Sequence, residues 1–107
     1  MKCKKQTRIK VFLVDNHPAL RAGVRSCLAD DSISIVGEAS NGDEALRKAK
    51  RLSPHVIILE SDLPSIEGGE LTRRLRQVVS KAKIVAFSAQ AKQAYVVRMA
   101  RCIRAGL

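Results

Sequence analysis

Ile9-Lys10-Val11-Phe12-Leu13-Val14-Asp15-Asn16-His17-Pro18 is the stretch that decides the fold. A short apolar run stops abruptly at an acid, an amide, an imidazole and a proline, which predicts a strand ending in a turn. Pro18 suits the first turn of a helix, where its missing N–H costs nothing. Leu20, Val24, Cys27 and Leu28 then recur at helical spacing up to the break at Asp30-Asp31.

The same pattern repeats outward along the chain. Ile33 to Ala39 reads as a second strand, and Ser40-Asn41-Gly42-Asp43 supplies the cap of a helix carrying Ala45, Leu46, Ala49 and Leu52 on one side, closed by Pro54. Val56-Ile57-Ile58-Leu59 is continuously apolar, the mark of a strand buried on both faces, followed by a loop from Glu60 to Gly69. Leu71, Leu75, Val78 and Val79 space a third helix, Ile84 to Phe87 a fourth strand, and Val96, Met99, Ala100 and Ile103 a last helix ended by Gly106. Strict alternation of strand and helix implies an α/β fold: a doubly wound parallel sheet with right-handed crossovers.

Chemistry in such sheets collects at the carboxyl ends of the strands. Those ends carry Asp15 and Asn16, then Glu60, then Ser88, so two carboxylates, an amide and a hydroxyl are expected to face one crevice. The plainer alternative is that Asp15 and Asn16 cap a helix while Glu60 and Ser88 sit in solvated loops. The chain holds no GxGxxG, GxxxxGK[ST] or GxSxG. His17 and His55 lack partners at ligand spacing and read as a turn residue and a strand-entry residue.

With 107 residues the chain is long enough for one core, and 46% hydrophobic with 28% charged residues argues against disorder. Cys3, Cys27 and Cys102 are odd in number and widely spaced, which supports neither a disulfide framework nor a zinc site. No apolar run is long enough to span a membrane and Met1-Lys2-Cys3-Lys4-Lys5 is no secretion signal, so a cytoplasmic protein without membrane contact is expected. The formal charge is +10, and after Glu70 no acid follows while Arg73, Arg74, Arg76, Lys81, Lys83, Lys92, Arg98, Arg101 and Arg104 do. That field would suit nucleic acid, an anionic membrane surface or an acidic protein partner, and composition alone does not choose among them, though 3% aromatic residues leave little surface for base stacking.

Taken in order, Val11 to Gly23 with its Asp15-Asn16-His17-Pro18 turn, Val36-Gly37-Glu38-Ala39, Asn41-Gly42 with Ala45-Leu46, Leu63-Pro64, Glu67-Gly68 and Ile84 to Ser88 resemble the receiver domain of two-component response regulators, NarL/FixJ subfamily. The resemblance runs over about residues 8 to 107. It implies a basic lead over 1–8 and a flavodoxin-like receiver fold over 9–107, lacking the fifth strand and last helix, with a C-terminal part expected to be missing. Receivers accept a phosphoryl group on an aspartate at the end of the third strand, using Mg²⁺ held by that aspartate and an acidic pair.

Here the phosphoacceptor position is Glu60, the acidic pair is Asp15 with Asn16, and the switch hydroxyl is Ser88. Glu60 carries its carboxylate ~1.5 Å further out, and Mg²⁺ tolerates misplaced ligands poorly. The expectation is therefore weak or absent Mg²⁺ at Asp15 and Glu60, no other cofactor, and little phosphoryl acceptance from a histidine kinase. Glu60 then either imitates the phosphorylated aspartate, with Ser88 as its hydrogen-bond partner, or is the relic of a lost site. On this reading the chain is a non-enzymatic, atypical, phosphorylation-independent receiver acting through a protein partner or a homodimer, and through DNA only by a linked output domain. The alternatives are a conventional Mg²⁺-dependent receiver using Asp15 and Glu60 with Asp62 nearby, and a small basic nucleic-acid-binding protein using the Arg73 to Arg104 surface.

Overall fold

A computed structural model describes residues 8–28, 31–60, 63, 66 and 68–87. Within them the chain runs β1 (Ile9–Val14), α1 (Pro18–Cys27), β2 (Ile33–Ala39), α2 (Gly42–Leu52), β3 (Val56–Glu60), α3 (Gly68–Val78) and β4 (Lys83–Phe87). The strands form one sheet in the order β2-β1-β3-β4, and every pair is parallel. This is the doubly wound arrangement that the alternation implied, and the order reverses between β1 and β3.

The helix boundaries follow local chemistry. α1 has Pro18 in its first turn and His17 at the N-cap, with no side-chain cap bond. At α2 the Asn41 Oδ1 accepts the Glu44 N–H at 2.8 Å while the Glu44 carboxylate accepts the Ser40 N–H at 2.8 Å, so the two side chains satisfy two otherwise orphaned donors. Gly42 opens that helix because a Cβ there would lie 2.1 Å from Ile66 Cγ2. Ser53 ends it in the left-handed conformation, φ 46°, just before Pro54.

Each strand feeds two cores by its two-residue period. Val11, Leu13, Val56 and Ile58 pack with Val24 of α1 and with Leu28 just past its end, whereas Phe12, Val14, Ile57 and Leu59 pack with Ala45 and Ala49 of α2 and Leu71 and Leu75 of α3. Leu46 and Val79 are only partly buried, at the margin of the second cluster. The side chain of Leu20 and all of Val96, Met99 and Ile103 lie outside the described residues.

One boundary differs from the sequence reading. Glu60 does not begin the loop; it is the last residue of β3, paired with Phe87 and fully buried. Parity places it on the face of Val56 and Ile58, the face that α1 covers.

Truncating the fully buried Leu75 to alanine is expected to cost about 2–5 kcal/mol in urea unfolding. Val78→Ala on the same helix, where the side chain is exposed, should change stability by less than ~0.5 kcal/mol. Equal losses would contradict the packing described.

Candidate functional site

β1 and β3 are in register, Val14 opposite Leu59, so the residues one step further, Asp15 and Glu60, come side by side at the carboxyl end of the sheet. Both are buried, Asp15 at 2% exposure and Glu60 at 0%. Two carboxylates out of water and close together are unstable unless the surrounding chain supplies donors or charge.

The turn between β1 and α1 is that supply. The Asn16 N–H donates to Glu60 Oε1 at 3.3 Å, and His17 Nδ1 lies 3.2 Å from the same oxygen. His17 Nδ1 is also 3.2 Å from Oε2, but outside hydrogen-bonding geometry, and that buried oxygen has no hydrogen-bond partner. The His17 N–H turns back onto Asp15 Oδ1 at 2.8 Å, closing the turn over the acid two residues before it. Asp15 thus shapes the turn and does not cap α1.

Arg21, one turn into α1, holds this segment in place. Its guanidinium donates to the Asp15 carbonyl at 2.8 Å and to Ser40 Oγ at 3.2 Å, and pairs with Glu38 of β2 at 3.1 Å. Arg25 closes on the same glutamate. Burial raises the Asp15 carboxyl above its ordinary range and Glu60 adds to the rise, while the His17 N–H and the charges of Arg21 and His17 oppose it.

Of the expected site residues, the structure brings Asp15, Asn16 and Glu60 together, with Asn16 contributing its backbone N–H while the residue itself is exposed. Ser88 and Asp62 lie outside the described residues. His17 is the member that spacing did not reveal: 43 residues separate it from Glu60. The available signal was strand parity, which puts Glu60 on the α1 face where His17 starts that helix. His55, by contrast, is the strand-entry residue expected, its Nδ1 accepting the Lys10 N–H at 2.9 Å.

The sequence model of the response regulator receiver domain matches residues 11–106. The chain belongs to the receiver-domain family. It is 35% identical over 99 residues to the response regulator GacA of Pseudomonas syringae pv. syringae, covering 92% of this chain and 46% of that protein. With the nitrate/nitrite response regulator NarL of Escherichia coli K12 it shares 38% identity over 79 residues, 73% of this chain and 37% of that one. The chain therefore spans less than half the length of these curated relatives. Among solved structures, the signal receiver domain of a NarL response regulator from Mycobacterium tuberculosis superposes with TM-score 0.72 at 27% identity, covering 88% of this chain and 78% of that one. A LuxR-family response regulator from Aurantimonas gives TM-score 0.71 at 29% identity over 88% and 69% of the two chains. Receiver domains of this kind are signalling modules of the phosphorelay and of transcription regulation.

Family membership implies Mg²⁺ at this receiver's strand ends, and the donor set present is a poor match for it. Mg²⁺ takes near-octahedral oxygen ligands. The donors gathered here are the carboxylates of Asp15 and Glu60 and the imidazole of His17, all within 4.8 Å of one another, and the neighbouring Asn16 brings an amide and no third carboxylate.

The raised Asp15 carboxyl yields a pH test. The native state keeps this proton where the unfolded chain, at the ordinary 3.8, has lost it, so ionisation destabilises the fold as pH rises through that window. Asp15→Asn retains the acceptor for His17 N–H and lacks the charge. Denaturant unfolding in chelator-containing buffer should show the variant more stable than the natural chain at pH 7, with the advantage fading below about pH 4. A variant less stable at pH 7 would show that Asp15 is held by its partners more than it is penalised by burial.

Proposed function

We propose that this receiver works without phosphorylation, as a non-enzymatic module whose contacts with a protein partner or a second copy are set by Glu60. The observation that carries the reading is Glu60 itself. The residue at the phosphoacceptor position is a glutamate with no exposed surface, and its Oε1 is already engaged by Asn16 N–H and His17 Nδ1. Phosphoryl transfer depends on an in-line nucleophile and a well-placed metal charge. A buried carboxylate held through Oε1 by the β1–α1 turn is not exposed to a phosphodonor, and the donors around it do not make an all-oxygen metal site.

Glu60 also places its carboxylate ~1.5 Å further out than an aspartate would, a partial stand-in for the phosphoryl group a conventional receiver acquires, with Ser88 as the hydroxyl that would bond it. Moving a two-state population from 1:99 to 99:1 takes about 5.5 kcal/mol, whereas one charged hydrogen bond supplies about 1.5–3 kcal/mol. The glutamate biases the domain without locking it, so control falls to abundance, a partner or a ligand. In a longer protein such as the relatives, DNA would be reached through a linked output domain, and the setting would be the cytoplasm. Consistent with that, no helix among the described residues is long and apolar enough to cross a membrane.

Nucleic-acid binding by the α3 surface is the weaker reading. Arg73 and Arg74 both close on Glu70, whose carboxyl they hold down to about 2. Part of the basic run thus forms internal pairs on a solvated helix face.

Mass spectrometry after incubation with acetyl phosphate and Mg²⁺ tests the proposal. The natural chain should stay unmodified, while the variant carrying Asn16→Asp and Glu60→Asp should bind Mg²⁺ at least tenfold more tightly and gain one phosphoryl group. Clean addition of one phosphoryl group to the natural chain would overturn the reading.

A further inference from the structure

We propose that Asp15, His17 and Glu60 form a binding site for a divalent transition-metal ion of the Zn²⁺ class, with the His17 imidazole as the ligand that sets it apart from a magnesium site. The inference goes beyond the phosphorylation-independent reading and rests on the pocket alone.

Distances come first. Two donors bound to one ion at ~2.1 Å stand roughly 3.0 Å apart at a right angle and roughly 3.4 Å apart at the tetrahedral angle. His17 Nδ1 is 3.2 Å from each oxygen of Glu60, which is that separation. With Asp15 included, the three donor atoms lie within 4.8 Å of one another, so the set contracts by at most about 1.4 Å onto a single ion.

The second observation is the orphaned oxygen. Glu60 has no exposed surface, and its Oε2 has no hydrogen-bond partner although it faces His17 Nδ1. A buried carboxylate oxygen without a donor is costly, and native structures rarely leave one unexplained. A cation between Oε2 and the imidazole satisfies it.

Charge points the same way. Two buried carboxyl groups side by side are a locus of negative charge that a dication would offset within the pocket. The N-terminus of α1 opposes a cation with only about +0.5 of an elementary charge, so the carboxylates dominate. Entry is open because the His17 side chain is 51% exposed, and its backbone N–H already orients Asp15. Arg21 fixes the Asp15 main chain from the other side.

Selectivity follows from ligand type. Imidazole suits Zn²⁺, Cu²⁺, Ni²⁺ and Fe²⁺, whereas Mg²⁺ favours carboxylate, carbonyl and water. Three protein ligands leave one tetrahedral position for water. A ligating Nδ1 must carry no proton, so the ion replaces the imidazole's contact with Glu60. It would clamp the β1–α1 turn to the end of β3, making this receiver responsive to a metal ion.

Co²⁺ serves as the probe, in the full chain with Cys3→Ser, Cys27→Ser and Cys102→Ser so that thiols cannot bind it. One Co²⁺ per chain should bind, with visible d–d absorption and no thiolate charge-transfer band. Zn²⁺ should displace it and a hundredfold excess of Mg²⁺ should not. His17→Ala should weaken binding at least tenfold, and His55→Ala should leave it unchanged. The natural chain gives an independent check by NMR: Zn²⁺ under reducing conditions should shift the ring resonances of His17 and spare those of His55. No Co²⁺ binding, an unchanged titration in His17→Ala, displacement by Mg²⁺ at comparable concentration, or an unmoved His17 ring would each overturn the inference. These outcomes are separate from phosphoryl uptake, which bears on the proposed function and not on this site.

Discussion

A carboxylate with no access to water stands at the end of the central strand β3, and the geometry of the site follows from it. Taking such a group out of water costs several kcal/mol, and hydrogen bonds to a charged group return about 1.5–3 kcal/mol each when well made. The two contacts that reach Glu60 Oε1 are long, at 3.2 and 3.3 Å, and Oε2 has no hydrogen-bond partner. The pocket is therefore under-satisfied. Such a deficit is tolerated where the surrounding framework over-determines it. Here that framework is β1 and β3 in parallel register, with Arg21 tying the Asp15 main chain to Ser40 and Glu38 of the neighbouring β2 edge.

Most of the fold was legible because apolar runs and cap residues are local signals. β1 and β2 fall on the residues expected, and Asn41 with Glu44 opens α2 as its cap chemistry implied. The start of α3 was harder, since Gly68 and Gly69 precede its first apolar contact at Leu71. Leu46 and Val79 read as core on spacing, yet each sits at the rim of its cluster, because periodicity gives a face and not a depth.

The site was half legible. Asp15, Asn16 and Glu60 stand at strand ends, and strand ends can be counted. His17 could not be found by spacing: an imidazole next to a proline reads as a turn residue, and its role depends on which face of β3 the glutamate occupies. Ending β3 at Leu59 moved Glu60 into a loop and hid that dependence. A glutamate side chain reaches ~1.5 Å further than an aspartate, and here its carboxylate meets Asn16 N–H and His17 Nδ1 at the start of α1.

The His17 side of the β1–α1 turn holds the buried Glu60 carboxylate, through Asn16 N–H and His17 Nδ1. A double-mutant cycle at neutral pH, comparing urea unfolding of the natural chain, Glu60→Gln, His17→Ala and the double variant in chelator-containing buffer, measures this coupling directly. The expected interaction between the two positions is about 1.5–3 kcal/mol, the range for a hydrogen bond to a charged group. Losses that add to within ~0.5 kcal/mol would contradict it, showing that the turn and the end of β3 are neighbours without being partners.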